Sequence, residues 1–193
     1  AMKLKLTTVD ISNAFVQSDR FPADAPKQYL WLKDPITGEK KYYLQTGVLY
    51  GARSAPARWQ ATLNKWLVEE MGFKQGANES CVFVHEKRKI LMISYVDDLC
   101  LLCLEDDAEW FYNLLNQRFK CKGHVYLSKD NPIDFLGMVI FEDDDNTYLT
   151  MQPYIETMIE VLELEDYRHR AVPISKDITD NRGVTKTEAR YFL

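Results

Sequence analysis

The stretch Ile90-Leu91-Met92-Ile93-Ser94-Tyr95-Val96-Asp97-Asp98-Leu99-Cys100-Leu101-Leu102-Cys103 sets two adjacent acids between two apolar runs of strand length. Ionised carboxylates are costly to bury without partners. The flanks therefore read as two core strands, and the acids fall at the turn between them. The same interruption excludes a membrane span, which needs about 18 consecutive apolar residues. The turn has no Gly or Asn to accept the positive φ that two-residue hairpins favour, and Tyr95 and Leu99 crowd the acids with bulk. Two readings stand: a solvated turn, or a pair of carboxylates that holds a hard divalent cation. The second requires a third acid on an equally apolar strand.

The rest of the chain mixes strands and helices without strict alternation, which predicts an α+β fold. Residues 3–11 read as a strand, and 18–27, with Pro22 and Pro26, as a loop. Residues 29–32 and 40–46 read as a hairpin around Asp34-Pro35-Ile36-Thr37-Gly38-Glu39. A helix is expected from Pro56, with Trp59, Leu63, Trp66, Leu67 and Met71 on one face and Gly72 as its stop. Strands follow at 81–85, 89–96 and 99–104, then a helix over 105–119 that opens on acids. Residues 133–141 and 147–151 predict a hairpin around Glu142-Asp143-Asp144-Asp145-Asn146, a wholly polar and solvated loop. A last amphipathic helix carries Ile155, Met158, Ile159 and Leu162 inward, and the tail after Pro173 is polar.

A length of 193 residues suffices for one good core or two small lobes. The net charge of −5 counts mildly against a nucleic-acid partner, although basic residues cluster at Arg53 and Arg58, at Lys87-Arg88-Lys89, and at Arg118, Lys120 and Lys122. No signal-peptide pattern opens the chain. Cys100 and Cys103 have zinc-site spacing, but residues three apart on a strand point to opposite faces. Buried free thiols are the better reading.

The third acid lies in Leu6-Thr7-Thr8-Val9-Asp10-Ile11-Ser12-Asn13-Ala14-Phe15, where Asp10 ends an apolar strand. By itself Asp10 reads as a strand-end cap. Together with Asp97 and Asp98 it makes a three-carboxylate set of the kind that holds two Mg²⁺ ions about 3.5–4 Å apart.

At this point the sequence resembles the reverse transcriptases of copia-type LTR retrotransposons. Tyr95-Val96-Asp97-Asp98 resembles their catalytic motif, and Val9-Asp10-Ile11-Ser12-Asn13-Ala14-Phe15 the aspartate motif that precedes it. Residues 49–59, LYGARSAPARW, resemble a family segment, and residues 72–84 and 134–141 follow in the family's order. The resemblance implies a right-hand polymerase palm, an antiparallel sheet backed by helices, over 1–124. A primer-grip hairpin over 125–152 and the start of a thumb or connection over 153–193 would follow.

The resemblance further implies that Asp10 and Asp97 bridge two Mg²⁺ ions (Mn²⁺ as a substitute), with Asp98 completing the cluster and the Ile11 carbonyl adding a ligand. Phe15 would stack under the incoming sugar and exclude a 2′-hydroxyl. Tyr50 and Gly51 would lie under the nascent base pair, and Pro56 and Arg58 near the template. Phe135, Leu136 and Gly137 would grip the primer. Lys120, Lys122 and Lys129 are open alternatives for a general acid. The implied partners are an RNA template, a DNA primer, deoxynucleoside triphosphates and the other polyprotein domains (fingers, ribonuclease H, integrase), with no membrane. The implied place is an intracellular, cytoplasmic virus-like particle. The chain starts nine residues before Asp10, so a palm-centred piece with fingers mostly absent and little activity of its own is expected. The alternative is a polymerase-derived interaction module without catalysis.

Overall fold

The computed structural model describes residues 4–163. The chain divides into two compact units, Ala1–Tyr154 and Ile155–Leu193. The first unit is α+β, and all its sheets are antiparallel.

Its centre is a six-stranded sheet of β1 (Lys5–Ile11), β4 (Lys74–Gln75), β5 (Val82–His85), β6 (Ile90–Tyr95), β7 (Asp98–Cys103) and β8 (Cys121–Tyr126). The spatial order is β4-β5-β6-β7-β1-β8, so the N-terminal strand sits between β7 and β8. Strand alternation sorts side chains onto two faces. Val9, Met92, Leu99, Leu101 and Cys103 join the main core, which includes residues of α1 (Ala55–Lys65) and α2 (Glu105–Arg118). Cys100 belongs to a second cluster with Leu127, Ile133, Phe135 and Ile140. The two thiols of the Cys100/Cys103 pair thus lie in different cores, and burial pushes both up to about 11. All four cysteines are free.

α1 begins with Pro56 in its first turn and buries Trp59 and Leu63. It runs into one π-helical turn, Trp66–Glu70, which keeps Trp66 and Leu67 buried before Gly72 ends the run at φ 76°. The sequence pattern predicts a plain helix here; the wider turn is a finding. A separate hairpin, β2 (Gln28–Lys33) and β3 (Lys40–Gln45), forms around the expected turn.

Three expectations need correction. β8 was not foreseen, because Cys121-Lys122-Gly123-His124-Val125-Tyr126 has no clean apolar alternation. Residues 133–141 are two strands rather than one: β9 (Ile133–Phe135) folds back on β10 (Met138–Glu142), which pairs in turn with β11 (Thr147–Thr150). Leu136 and Gly137 make the bend, at φ 56° and 74°. In α3 (Gln152–Val161) the stripe expected to face inward is exposed at Ile155, Met158 and Ile159. The polar tail and most of the expected thumb segment, 164–193, lie outside the described residues.

Candidate active site

Asp10 and Asp98 come together through strand pairing. β1 and β7 run antiparallel in a register that places Asp10 opposite Asp98. β6 and β7 close on each other with Tyr95 opposite Asp98, leaving Val96 and Asp97 as a two-residue turn. That turn is tied to β1 by the Ile11 amide, which donates to the Asp97 carbonyl at 2.8 Å. Ile11 itself is fully buried. Val96 takes the positive φ, 54°, that the sequence offered no Gly or Asn to accept.

The Asp98 carboxylate is under electrostatic stress. Burial raises the Asp98 carboxyl above the ordinary aspartate range, and the charges of Asp97 and Asp10 add to the effect. Asp10 Oδ2 accepts from Lys122 Nζ at 2.9 Å, and that bond with its charge attraction holds the Lys122 ammonium above its usual range. Asp10 Oδ1 is buried with no hydrogen-bond partner. A buried acceptor without a donor is uncommon in native proteins. Among the described residues no three His, Cys, Asp or Glu side chains stand arranged around one metal position. In this arrangement the cation beside Asp10 is the Lys122 ammonium.

Asp10, Asp98 and Lys122 line a cleft of about 310 Å³ together with His124, Asp134 and Phe135. Of the three lysine candidates, Lys122 is the one whose Nζ meets these acids. Lys129 pairs with Asp144 of the polar loop, and the Lys120 amide donates to Gln17 Oε1 at 2.7 Å. Sequence reading missed Asp134 and Lys122's selection, since both depend on strands remote from Asp10 in the chain. It also missed Trp59, whose indole N–H donates to the Val96 carbonyl at 2.6 Å. Its spacing marked it as core, and it is indeed 1% exposed.

Phe15 and Tyr50 meet, with ring centroids 5.1 Å apart. Phe15 lies in a short 3₁₀ turn, Ala14–Gln17, that follows Asn13 at φ 52°. Tyr50 is exposed, and Gly51 follows at φ 83°. Pro56 shares a second cleft, of about 180 Å³, with Trp59, Tyr95 and Val96. Arg58 stands over the Phe21 ring at 4.6 Å. Phe135 is buried at the carboxylate cleft, while Leu136 and Gly137 form the turn beyond it.

Residues 3–176 match the family described as reverse transcriptase (RNA-dependent DNA polymerase). The chain belongs to that family. It is 27% identical over 140 residues to the truncated transposon Ty1-A Gag-Pol polyprotein of Saccharomyces cerevisiae, a match covering 70% of this chain and 11% of the relative. It has the same identity to the transposon Ty1-DR5 Gag-Pol polyprotein of that yeast, covering 8% of it. The copia-type resemblance therefore holds, and the chain spans about a tenth of the curated relatives it matches. Among solved structures, telomerase from Candida albicans matches with a TM-score of 0.49 and 12% identity, over 84% of this chain and 36% of that one.

Proposed function

We propose that this chain is the palm of an RNA-directed DNA polymerase from a retrotransposon polyprotein, with a primer-gripping hairpin at β9–β10, and that Asp10, Asp97 and Asp98 are its metal-binding acids. The observation that carries this reading is the register that sets Asp10 opposite Asp98 at one sheet end. The unpartnered Asp10 Oδ1 and the raised Asp98 carboxyl support it, because both are relieved by a hard cation. The residues fit Mg²⁺ chemically as an all-oxygen donor set.

Bound Mg²⁺ would supply charge neutralisation at the triphosphate and a more acidic primer hydroxyl. The chain's own groups do the rest. Asp10 and Asp97, with Asp98 completing the set, would hold the cations, and the Ile11 carbonyl stands beside Asp10 in sequence. Lys122, released from Asp10, carries a proton within the cleft for the departing pyrophosphate. Phe15, braced by Tyr50, offers a flat apolar wall that leaves a 2′-hydroxyl no room. Gly51 lets the backbone approach the base pair closely. Pro56 and Arg58 flank the template, and Phe135, Leu136 and Gly137 the primer. Template RNA, primer DNA and deoxynucleotides are the substrates, and the other polyprotein domains are the partners, within an intracellular particle. No helix among the described residues is long and apolar enough to cross a membrane.

Primer extension on an RNA template tests the reading. The chain is assayed alone and as a replacement for the matching segment of a Ty1 polyprotein. Synthesis is expected in the longer protein, and Phe15→Val should let it accept ribonucleotides. Unchanged sugar discrimination in a folded Phe15→Val protein would return Phe15 to the core. Extension that persists in Asp10→Asn would end the metal-binding assignment.

A further inference from the structure

A valine at φ 54° is the least expected residue in the acidic turn. With Asp97 outside the positive-φ set, the positive φ falls on the first of the two central residues, a place glycine ordinarily takes in such hairpin turns. A β-branched side chain in the left-handed region is strained, and such residues persist only where their surroundings over-determine them. Val96 is 38% exposed, so burial of its own side chain is a weak anchor. Two hydrogen bonds act on the turn instead. The Ile11 amide donates to Asp97 O at 2.8 Å, and Trp59 Nε1 donates to Val96 O at 2.6 Å.

The indole is well placed for this. Trp59 lies in the second turn of α1, one turn past Pro56, and is 1% exposed. Its ring meets Phe119 edge-on with centroids 5.1 Å apart. A buried ring held by α1 and by the chain just after α2 is a rigid donor. The carbonyl it holds belongs to the residue whose peptide orientation sets where Asp97 begins.

We propose that Trp59 is a positioning residue for the acid-bearing turn: its indole N–H pins the Val96 carbonyl, and so keeps the strained Val96 peptide in the one orientation that gives the Asp97 carbonyl to the Ile11 amide, next to Asp10 in β1. The assignment rests on the polymerase reading only for what the acids do. The tether itself is a statement about the turn, and it is tested without any catalytic readout.

The Ile11 amide is a built-in reporter, because its acceptor is the Asp97 carbonyl. Trp59→Phe keeps an aromatic ring in the core, removes the donor and leaves a smaller side chain, a loss of packing that the core amides report. Native-state hydrogen exchange on the whole chain should show Ile11 exchanging about tenfold faster in Trp59→Phe, the size of one net hydrogen bond. Core amides such as Met92 and Leu101 should change clearly less. Adding Val96→Gly to Trp59→Phe should bring Ile11 back to within about threefold of the parent, because glycine holds positive φ without a tether. Ile11 exchange that is unchanged, or that rises only in step with the core amides, would overturn the proposal. So would a double variant no better protected than Trp59→Phe. Failure of the polymerase reading shows elsewhere, as extension that survives loss of Asp10.

Discussion

Among the hairpins of the described residues, two acidic turns hold their carboxylates in opposite conditions. Val96-Asp97 joins β6 to β7, with Asp98 opening the next strand. Asp143 to Asn146 join β10 to β11, with Glu142 paired to Thr147. In the second turn each acid finds a local donor or open water. Asp143 Oδ1 accepts from the amides of Asp145 and Asn146 at 2.9 and 2.8 Å, and its Oδ2 from Tyr148 at 2.7 Å. Those bonds, the tyrosine's first, hold Asp143 below the usual aspartate range. Asp144 pairs with Lys129. In the first turn the order is reversed: burial comes first and raises Asp98, and like charges add to it. The number of acids therefore says little. What separates a solvated loop from a poised site is whether the acids are lodged against a core that denies them donors.

The largest effect expected from breaking this contrast is catalytic. In the longer polyprotein, Asp97→Asn should lower primer extension about a thousandfold or more, since removing charge stabilisation at a preorganised site is among the most costly changes known. Asp144→Asn should stay within about twofold. Equal effects at the two turns would mean that the first is as ordinary as the second.

Backbone strain gives the next contrast. Val96→Gly should stabilise the chain by about 1 kcal/mol, the left-handed cost of a non-glycine residue. Asn146, which is not among the positive-φ residues, should tolerate glycine within about 0.5 kcal/mol. Urea unfolding of both variants measures this. A Val96→Gly chain that is less stable than its parent would show that the valine side chain, not the strain, dominates the turn.

Proton linkage gives a smaller contrast of opposite sign. Asp98's folded pKa is raised, so its contribution to stability is fully present below the unfolded value near 3.8 and is lost as pH rises through the folded value. Asp98→Asn should therefore melt a few degrees above the parent at pH 7, and the gap should close toward pH 3.5. Asp143's folded pKa is lowered, so its contribution is present above 3.8 and is lost as pH falls through the folded value. Asp143→Asn should melt slightly below the parent at pH 7, by a degree or so given its full exposure to screening water. Thermal melts at both pH values read the two signs directly, and shifts of the same sign would remove the distinction.

Much of this contrast is legible in the sequence alone. Apolar flanks of strand length around Asp97-Asp98 marked the first turn as unusual, and the polar run at 142–146 marked the second as a solvated loop. Strand alternation separated Cys100 from Cys103. The order of motifs brought Asp10 into the same set as the acidic pair, and the family those motifs suggested is the one the chain matches over residues 3–176. These features are local: they depend on which residues must be buried and on the two-residue period of a strand.

What the sequence left open depended on pairing between distant segments. β8 has a weak pattern of its own and exists because β1 offers an edge to it. Only that pairing puts Lys122, rather than Lys120 or Lys129, on Asp10. The break at Leu136 and Gly137 turned one expected strand into two and brought Asp134 to the cleft. Trp59 carried the periodicity of a core residue, and nothing in that periodicity says where its single N–H points. Periodicity ranks residues by their need to leave water, but a hydrogen bond or an ion pair needs a distance and a direction, and those are fixed only when remote strands and helices have chosen their registers.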